Sequence, residues 1–455
     1  MTRAEELARN VENVRYDQLS PEVRDQLKIR ILDSLGCAFG AVDAPLAVKL
    51  REHSLMLSER GQCTLIGGGS ASPDRAAFFN GALVRYLDYN DGYMGTGDYA
   101  HPSDNFGAVL AACEYTGGDG KTLLTALAVA YQIQIVMVDA APVLARGFDH
   151  TVQGAYALAC GVSKALGLDA ARIANAIGIC GTSYNSLRVT RTGVLSNWKG
   201  LAYANTALGS VHAALLAMHG VTGPIEVFEG NKGFMHTIAG PFTVDWGLEC
   251  PDAVLRTSIK KYNATIDAQS SVEATLELVG RHTFDPATIA SIDVEIFKVA
   301  FDVIGGGEEG DKYVVETKEQ ADHSLRYVLA CACLDRELTP AQYQPERIKR
   351  DDVQKLLRKV KIAPSEKYTR AFPRECGVHV AITLDDGRRF ATERKAYEGY
   401  YTTPFSWTNA IEKFNRLTKG VLTSTRQDEI VDVVKTIDRR SVRDLTNLFV
   451  GAGSS

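Results

Sequence analysis

The spacing of apolar residues predicts that roughly the first 255 residues fold as a succession of helices. Apolar positions recur at helical intervals over residues 23–39 and 202–219, as on the buried face of an amphipathic helix. Residues 121–141 form a longer apolar run that polar residues interrupt and Pro142 ends, which favours a buried central helix over a membrane span. This part of the chain is therefore predicted to be an all-α body.

The pattern then changes to a mixture of strands and helices. Residues 291–298 alternate apolar and polar side chains, as a half-buried strand does. Residues 378–392 alternate on both sides of an Asp-Gly turn, which predicts a β-hairpin. Further helices are predicted at residues 318–334, 350–360, 408–417, 425–435 and 442–449. The region 257–396 is thus expected to form an α+β domain.

Length and composition indicate a globular protein of more than one domain. A chain of 455 residues exceeds the size of an ordinary single core. The formal charge of −5 and pI near 6.0 argue against nucleic acid as a partner. We expect no apolar run of the ~20 residues that a bilayer span needs, and the charged N-terminus lacks the apolar segment of a signal peptide. We therefore expect no membrane partner and a cytoplasmic location.

Two aspartates and a histidine cluster in a glycine-containing segment between apolar stretches. Asp88 and Asp91 lie in Tyr-Leu-Asp-Tyr-Asn-Asp-Gly-Tyr, and His101 precedes a Pro-Ser break and an apolar run. Because His titrates near neutral pH, the three residues are candidates for general acid–base catalysis. Two alternatives remain open: the aspartates merely cap turns, or all three residues bind a metal ion. Metal-binding loops usually space their carboxylates more regularly, so no metal site is predicted.

A second cluster is rich in cations. Arg188, Arg191 and Lys199 lie in a Thr- and Gly-containing segment at the start of a predicted helix. Arg offers a bidentate fork and Lys a point charge, so these residues can cradle a carboxylate. A solvated loop is the alternative, and it is disfavoured because Trp198 holds the neighbouring lysine close to packed structure. These residues are therefore predicted to bind a carboxylate.

Several motifs, in the right order, resemble one known family. The segment that contains Asp88 and His101 follows the pattern LDYxDxY…HPSDNxGAxLA, and the later segments DHT, WKGLAYAN and ETKEQADHS resemble further motifs of that family. The resemblance covers residues 1–450. The chain is identified on these motifs as a member of the MmgE/PrpD family, which includes 2-methylcitrate dehydratases and cis-aconitate decarboxylases.

The resemblance implies a helical domain with a smaller lid domain inserted before the last helices. On that basis the helical domain comprises residues 1–256 and 397–455, and the α+β lid comprises residues 257–396. The predicted fold class is therefore mainly α with an α+β lid. The resemblance also implies a small tri- or dicarboxylate substrate and a homodimer.

The resemblance also implies roles for individual residues. Lys199 is the counterpart of an active-site lysine of the decarboxylases, and Lys260 matches a second family lysine. With Asp88 and His101, these lysines are predicted to carry catalysis. The residues predicted to bind substrate are Asp91, His150, Arg188, Arg191, Thr265 and His323.

Four positions near these residues bear on which reaction the site performs. Gly92 replaces a common family threonine, and Asn263 replaces a proline. Thr265 stands where the decarboxylases place a histidine. Asp267 occupies a position where methylcitrate dehydratases can carry an aspartate.

The resulting prediction is a hydro-lyase that uses no cofactor and no metal and dehydrates 2-methylcitrate or a related tricarboxylate. No Cys-x-x-Cys motif occurs, so neither a zinc nor an iron–sulfur site is expected. Removing a proton next to a carboxylate adds negative charge to an anionic substrate, so the basic residues are expected to surround it. Decarboxylation of cis-aconitate or epimerisation of a dicarboxylate remains an alternative. A non-catalytic carboxylate-binding protein of the same fold is a further alternative.

Overall fold

The computed structural model describes residues 1–58, 61–95, 97–193, 195–310 and 312–449, and it divides into two compact units. The first unit comprises Met1–Arg191, Asn197–Thr257 and Phe405–Ser455. The second comprises Thr192–Ser196 and Ser258–Pro404. Helices dominate the described residues and the sheets are small, so the predicted fold class is confirmed.

The first unit begins with helices joined by short connections. They are α1 (Arg3–Asn13), α2 (Pro21–Ala41), α3 (Pro45–Met56), α4 (Pro73–Tyr86), α5 (Phe106–Thr116), α6 (Gly120–Ala140), α7 (Thr151–Ala165), α8 (Ala170–Ser183) and α9 (Trp198–Met218). Ser20, Asp119 and Asp169 cap α2, α6 and α8 by accepting a hydrogen bond from a first-turn N–H. The helices predicted from periodicity match α2, α6 and α9 apart from their terminal residues.

Two short antiparallel strand pairs lie between these helices. They are β1 (Cys63–Thr64) with β2 (Ser70–Ala71), and β3 (Tyr93–Met94) with β4 (Tyr99–Ala100). In the second pair, Tyr93 lies opposite Ala100. This register brings His101, directly after β4, close to Asp91, which lies two residues before β3.

Small residues let the helices of this unit cross closely. A Cβ added at Gly107 in α5 would lie 2.6 Å from the backbone nitrogen of Gly81 in α4. One added at Gly154 in α7 would lie 2.5 Å from the ring of Tyr203 in α9. Real Cβ atoms do not approach other atoms so closely, so both crossings require glycine.

Two helices among the described residues are long and apolar enough to cross a membrane by length and composition alone. They are α6 and α9, and the bent pair α2–α3 also passes the test if it is counted as one span. The expectation that no apolar run reaches that length is therefore wrong. The protein itself buries 83% of the apolar window of α6, as expected for a central helix, and 67% of that of α9.

The second unit contains a four-stranded sheet with the order β6-β5-β7-β8. Its strands are β5 (Ile289–Ile296), β6 (Val360–Pro364), β7 (Val378–Leu384) and β8 (Arg389–Arg394). β7 and β8 form the predicted antiparallel hairpin, and β5 pairs antiparallel with β7. β6 pairs parallel to β5 and is an edge strand that the sequence pattern did not predict.

The helices of the second unit are shorter than those of the first. They are α10 (Gln269–Arg281), α11 (Lys298–Ile304), α12 (Lys318–Ala321), α13 (Leu325–Asp335), α14 (Pro345–Ile348), α15 (Asp351–Leu356) and α16 (Glu366–Ala371). The helix predicted at 318–334 is interrupted because Ser324 leaves helical geometry and caps α13. The helix predicted at 350–360 is too long, since α15 ends at Leu356 and Val360 begins β6.

The chain then returns to the first unit. Its last helices are α17 (Trp407–Thr418), α18 (Ser424–Lys435) and α19 (Val442–Thr446), followed by a single 3₁₀ turn. α17 packs against α2, so the C-terminal segment completes the body that the N-terminal segment begins.

The close crossing of α4 and α5 yields a stability prediction. Gly107→Ala should lower the free energy of unfolding by about 1–3 kcal/mol, because its Cβ would press on backbone atoms that cannot rotate away. Gly280→Ala is the matched control, since no atom lies within 4 Å of its added Cβ, and it should raise stability by up to about 1 kcal/mol. Denaturant titration measures both. Equal effects at the two positions would contradict the crossing.

Candidate active site

The segment after α4 adopts an unusual backbone conformation. Asp88 has φ 53°, in the left-handed region that non-glycine residues rarely occupy. Its carboxylate lies 2.5 Å from Nη1 of Arg85 and 3.8 Å from Nζ of Lys199. Asp88 and Lys199 are each 5% exposed. A buried carboxylate thus faces two cations, one from α4 and one from the first turn of α9.

Arg85 also contacts Asn90, which precedes His101 in the chain, and Asp104, which follows it. Its Nη1 donates to Oδ1 of Asn90 at 3.2 Å, and its Nε lies 3.7 Å from Oδ2 of Asp104. Burial raises the pKa of Asp104 to about 7, although Arg85 and Arg191 oppose that shift. Burial lowers the pKa of Arg85, but Asp88 and Asp104 together raise it more, so this pKa lies above its ordinary value.

The orientation of His101 follows from its contact with Asp91. Nδ1 of His101 lies 2.8 Å from the carbonyl oxygen of Asp91, and a carbonyl only accepts, so Nδ1 carries the hydrogen. Neutral His101 therefore has Nε2 as its basic nitrogen. The carboxylate of Asp91 accepts from the Ser103 N–H at 2.9 Å and from the Tyr131 hydroxyl at 2.9 Å. Asp91, predicted to bind substrate, is fully buried and supports the loop through these contacts.

A second histidine lies against the first. The ring centroid of His150 is 5.5 Å from that of His101, 5.5 Å from that of Tyr99 and 6.0 Å from that of Tyr203. Within the described part of the chain, neither ring nitrogen of His150 has a hydrogen-bond partner. Burial lowers the pKa of His150 to about 3, although Asp149 opposes this. His150 is therefore a neutral side chain that packs against the ring of His101.

The two arginines of the predicted cradle have different surroundings. Arg191 is buried, donates to the carboxylate of Asp149 at 2.6 Å through Nε, and donates to the carbonyl of Lys199 at 3.1 Å. Burial raises the pKa of Asp149, but Arg191, His150 and the Thr151 N–H together lower it more, so the net shift is downward. Arg188 is half-buried, and its Nη1 lies 2.5 Å from the hydroxyl of Tyr99. Arg191 thus fixes the start of α9, while Arg188 lies against Tyr99, whose ring contacts His101 and His150.

The second unit holds the remaining predicted residues. Lys260 is fully buried and lowers the pKa of Asp267, but burial dominates and raises that pKa to about 6. The Thr265 hydroxyl lies 3.5 Å from Oδ2 of Asp267. His323 pairs through Nδ1 with Oδ1 of Asp322 at 2.6 Å.

The first unit thus brings together most of the residues that the sequence predicted. Those from the first unit are Asp88, Asp91, His101, His150, Arg188, Arg191 and Lys199. Sequence reasoning missed three charged residues of this group. Arg85 pairs with Asp88 and with Asp104, and Asp149 pairs with Arg191. All three had a signal in the sequence, since Arg85 precedes Asp88 by three residues, Asp104 is the aspartate of the HPSDN motif and Asp149 begins the DHT motif.

The comparisons with known proteins agree with the motifs. The MmgE/PrpD N-terminal domain matches residues 5–247, and the MmgE/PrpD C-terminal domain matches residues 262–439. These two matches cover most of the chain. The chain belongs to the MmgE/PrpD family, and the resemblance inferred from its motifs is confirmed.

Characterised relatives align over most of their length. The chain is 24% identical to the cis-aconitate decarboxylase of Mus musculus over 470 residues, covering 98% of this chain and 93% of the relative. It is 26% identical to the 2-methylcitrate dehydratase of Cupriavidus necator over 409 residues, covering 82% and 81%. It is 28% identical to an alkylcitrate dehydratase of Fungal sp. over 470 residues, covering 94% and 89%. These names agree with the expected lyase class.

The burial of His150 predicts a pH dependence of stability. The unfolded chain binds a proton at this residue below about pH 6.5, whereas the folded protein does so only near pH 3. The stability that neutral His150 contributes is therefore complete above pH 6.5 and is lost as the pH falls toward 3. His150→Gln should remove up to about 1.4 kcal/mol per pH unit from that slope, measured by denaturant titration. An NMR titration in which His150 protonates near pH 6.5 would contradict this.

Proposed function

We propose that this protein is a hydro-lyase that dehydrates 2-methylcitrate or a related tricarboxylate without a cofactor or a metal ion. The observation that carries the proposal is a concentration of basic side chains around the Asp88 loop (residues 87–92, between α4 and β3). The cations among the described residues there are Arg85, Arg188, Arg191 and Lys199. The carboxylates there are those of Asp88, Asp91 and Asp149 and that of Asp104, whose pKa is raised to about 7. Cations gathered in this way are suited to bind the carboxylates of a polyanionic substrate.

In the proposed step, His101 acts as the base. Its Nε2 takes the proton from the carbon next to a substrate carboxylate, and the C–H electron pair forms the new double bond as the hydroxyl leaves. The hydroxyl departs as water after receiving a proton, which we assign to the ammonium of Lys199. Asp88 lies 3.8 Å from that ammonium. Fixed cations stabilise the developing charge because they need no reorganisation during the reaction.

We propose Lys260 of the second unit as a further catalytic cation. It is a fully buried lysine, and Asp267, whose pKa is raised to about 6, acts on it electrostatically. Thr265 and His323 are proposed to bind substrate in the same reaction. The 2-methylcitrate dehydratase and alkylcitrate dehydratase relatives support this choice of substrate.

Replacing either proposed catalytic lysine tests the mechanism. Lys199→Ala or Lys260→Ala should lower kcat by roughly 10²- to 10³-fold, because each removes a desolvated charge from the transition state. Arginine at either position should also fail, since a planar fork does not replace a compact ammonium. Formation of the unsaturated product from 2-methylcitrate is followed by ultraviolet absorbance.

The neighbouring Lys261 supplies the control for Lys260. It pairs with Glu273 at 2.9 Å and Glu398 at 2.8 Å, so Lys261→Ala should retain activity. Loss of activity in the control equal to that in Lys260→Ala would contradict the assignment. Release of CO₂ from cis-aconitate, assayed in parallel, would instead favour the decarboxylase, against which Thr265 in place of histidine argues. Tight tricarboxylate binding without any turnover would favour a non-catalytic binding protein.

Chelation tests the proposed independence from metal ions. Both carboxylate oxygens of Asp91 already accept hydrogen bonds, which leaves them poorly placed as metal ligands. EDTA should therefore leave the rate of product formation unchanged. Loss of activity that a divalent ion restores would promote Asp88, Asp91 and His101 to metal ligands and would overturn the mechanism.

We also propose that the enzyme is a cytoplasmic homodimer. The family resemblance and the small-residue, apolar helices support the dimer. Light scattering should give about twice the chain mass of 49.4 kDa, and a mass equal to one chain would reject it.

A further inference from the structure

Four charged side chains are buried together beneath the Asp88 loop, and no step of the proposed mechanism uses them. Arg30 and Asp33 lie one turn apart on α2, Lys413 lies on α17, and Asp91 belongs to the loop itself. Their exposed fractions are 3%, 2%, 3% and 0% respectively. Two cations and two carboxylates make the group neutral, which is what burial at this depth requires.

Lys413 holds the backbone next to Asp88. Its Nζ lies 2.6 Å from Oδ1 of Asp33 and donates to the carbonyl of Tyr89 at 2.7 Å. The same ammonium lies 4.0 Å from the centre of the Tyr89 ring. The Tyr89 hydroxyl in turn accepts from Arg416, one turn along α17, at 2.8 Å. Helix α17 therefore fixes both the backbone and the side chain of the residue that follows Asp88.

Arg30 holds the other end of the loop. Its Nε lies 3.6 Å from Oδ2 of Asp91, and its guanidinium donates to the carbonyl of Thr257 at 2.8 Å and to the Thr257 hydroxyl. The carbonyl of Asp91 is the acceptor that orients His101. Lys413 thus holds the backbone before Asn90, and Arg30 lies against the side chain of the residue after it.

A left-handed Asp88 persists only where surrounding contacts hold it, because such a backbone conformation is unfavourable by itself. We propose that Lys413, paired with Asp33, is a positioning residue that holds the Tyr89 carbonyl and thereby sets the positions of Asp88 and His101. It does not touch the substrate and acts through the loop. The kinetic part of the test rests on the proposed function, whereas the spectroscopic part does not.

The test removes the contact without leaving a buried charge. Lys413→Met alone would leave Asp33 without its cation, so the main variant is the neutral pair D33N/K413M. With the Tyr89 carbonyl released, kcat for 2-methylcitrate should fall roughly 10²-fold, the cost of misplacing a catalytic group by about 1 Å. KM should change by less than about threefold, because the substrate-binding cations remain.

The chain offers a closely matched control. Lys28 lies on α2, as Asp33 does. It pairs with Asp438 and donates to the carbonyl of Lys435 at 3.0 Å. The variant K28M/D438N therefore removes a lysine–aspartate pair and a lysine–carbonyl hydrogen bond elsewhere in the unit, and it should leave kcat unchanged. K413R keeps the charge balance and so guards against a folding failure of the main variant, and its larger head should still lower kcat.

A readout that needs no activity separates this proposal from the proposed function. Nitrogen-15 NMR of the histidine rings, with His101→Gln for assignment, should show His101 protonated at Nδ1 in the wild type. D33N/K413M should lose that tautomer preference, while K28M/D438N keeps it. A wild-type tautomer and a wild-type kcat in a folded D33N/K413M or K413R would overturn the positioning role. Absence of turnover in the wild type would instead count against the proposed function alone.

Discussion

The candidate site depends on the neutralisation of buried carboxylates by cations from other elements. Four carboxylates around the Asp88 loop are at most 5% exposed, and an ionised carboxylate at that depth costs several kcal/mol unless it is paired. Each faces an arginine, which makes the pairs Asp88 and Asp104 with Arg85, Asp91 with Arg30, and Asp149 with Arg191. These arginines come from α2, α4 and the segment before α9. The loop therefore takes its shape only when those helices are packed around it.

Because the loop depends on the packing of these helices, the close helix crossings and the geometry of the candidate site occur together. Arg85 lies on the same helix as Gly81, which the backbone of α5 approaches at Gly107. Arg191 joins Asp149 to the carbonyl of Lys199, so one guanidinium fixes both the turn before α7 and the first turn of α9. A lysine whose backbone is held in this way keeps its charge in place with little need for reorganisation. Arg191, predicted as a substrate ligand, contributes in the structure as a support of that lysine.

The sequence predicted the elements whose signal is local and missed those that depend on partners far along the chain. Periodicity located α2, α6 and α9, and alternation around Asp-Gly located the hairpin of β7 and β8. The edge strand β6 was missed, because only Val360 of its five residues is fully buried and no alternation marks it. Asp88, His101 and Lys199 were recognisable from residue type and motif. Lys413 was not, because nothing in its own helix indicates that it reaches Asp33 and Tyr89.

A positive field by itself does not select one reaction, since dehydration and decarboxylation both pass through carbanion-like species that cations stabilise. Selection then rests on the groups that move protons and on where they point. His150 is held neutral by burial and so adds no charge beside His101, whose reactive nitrogen is set by the Asp91 carbonyl. Asp104, with its pKa raised to about 7, can hold or release a proton near neutral pH. The same burial that forces the carboxylates into pairs thus also raises the pKa of Asp104 and keeps His150 neutral.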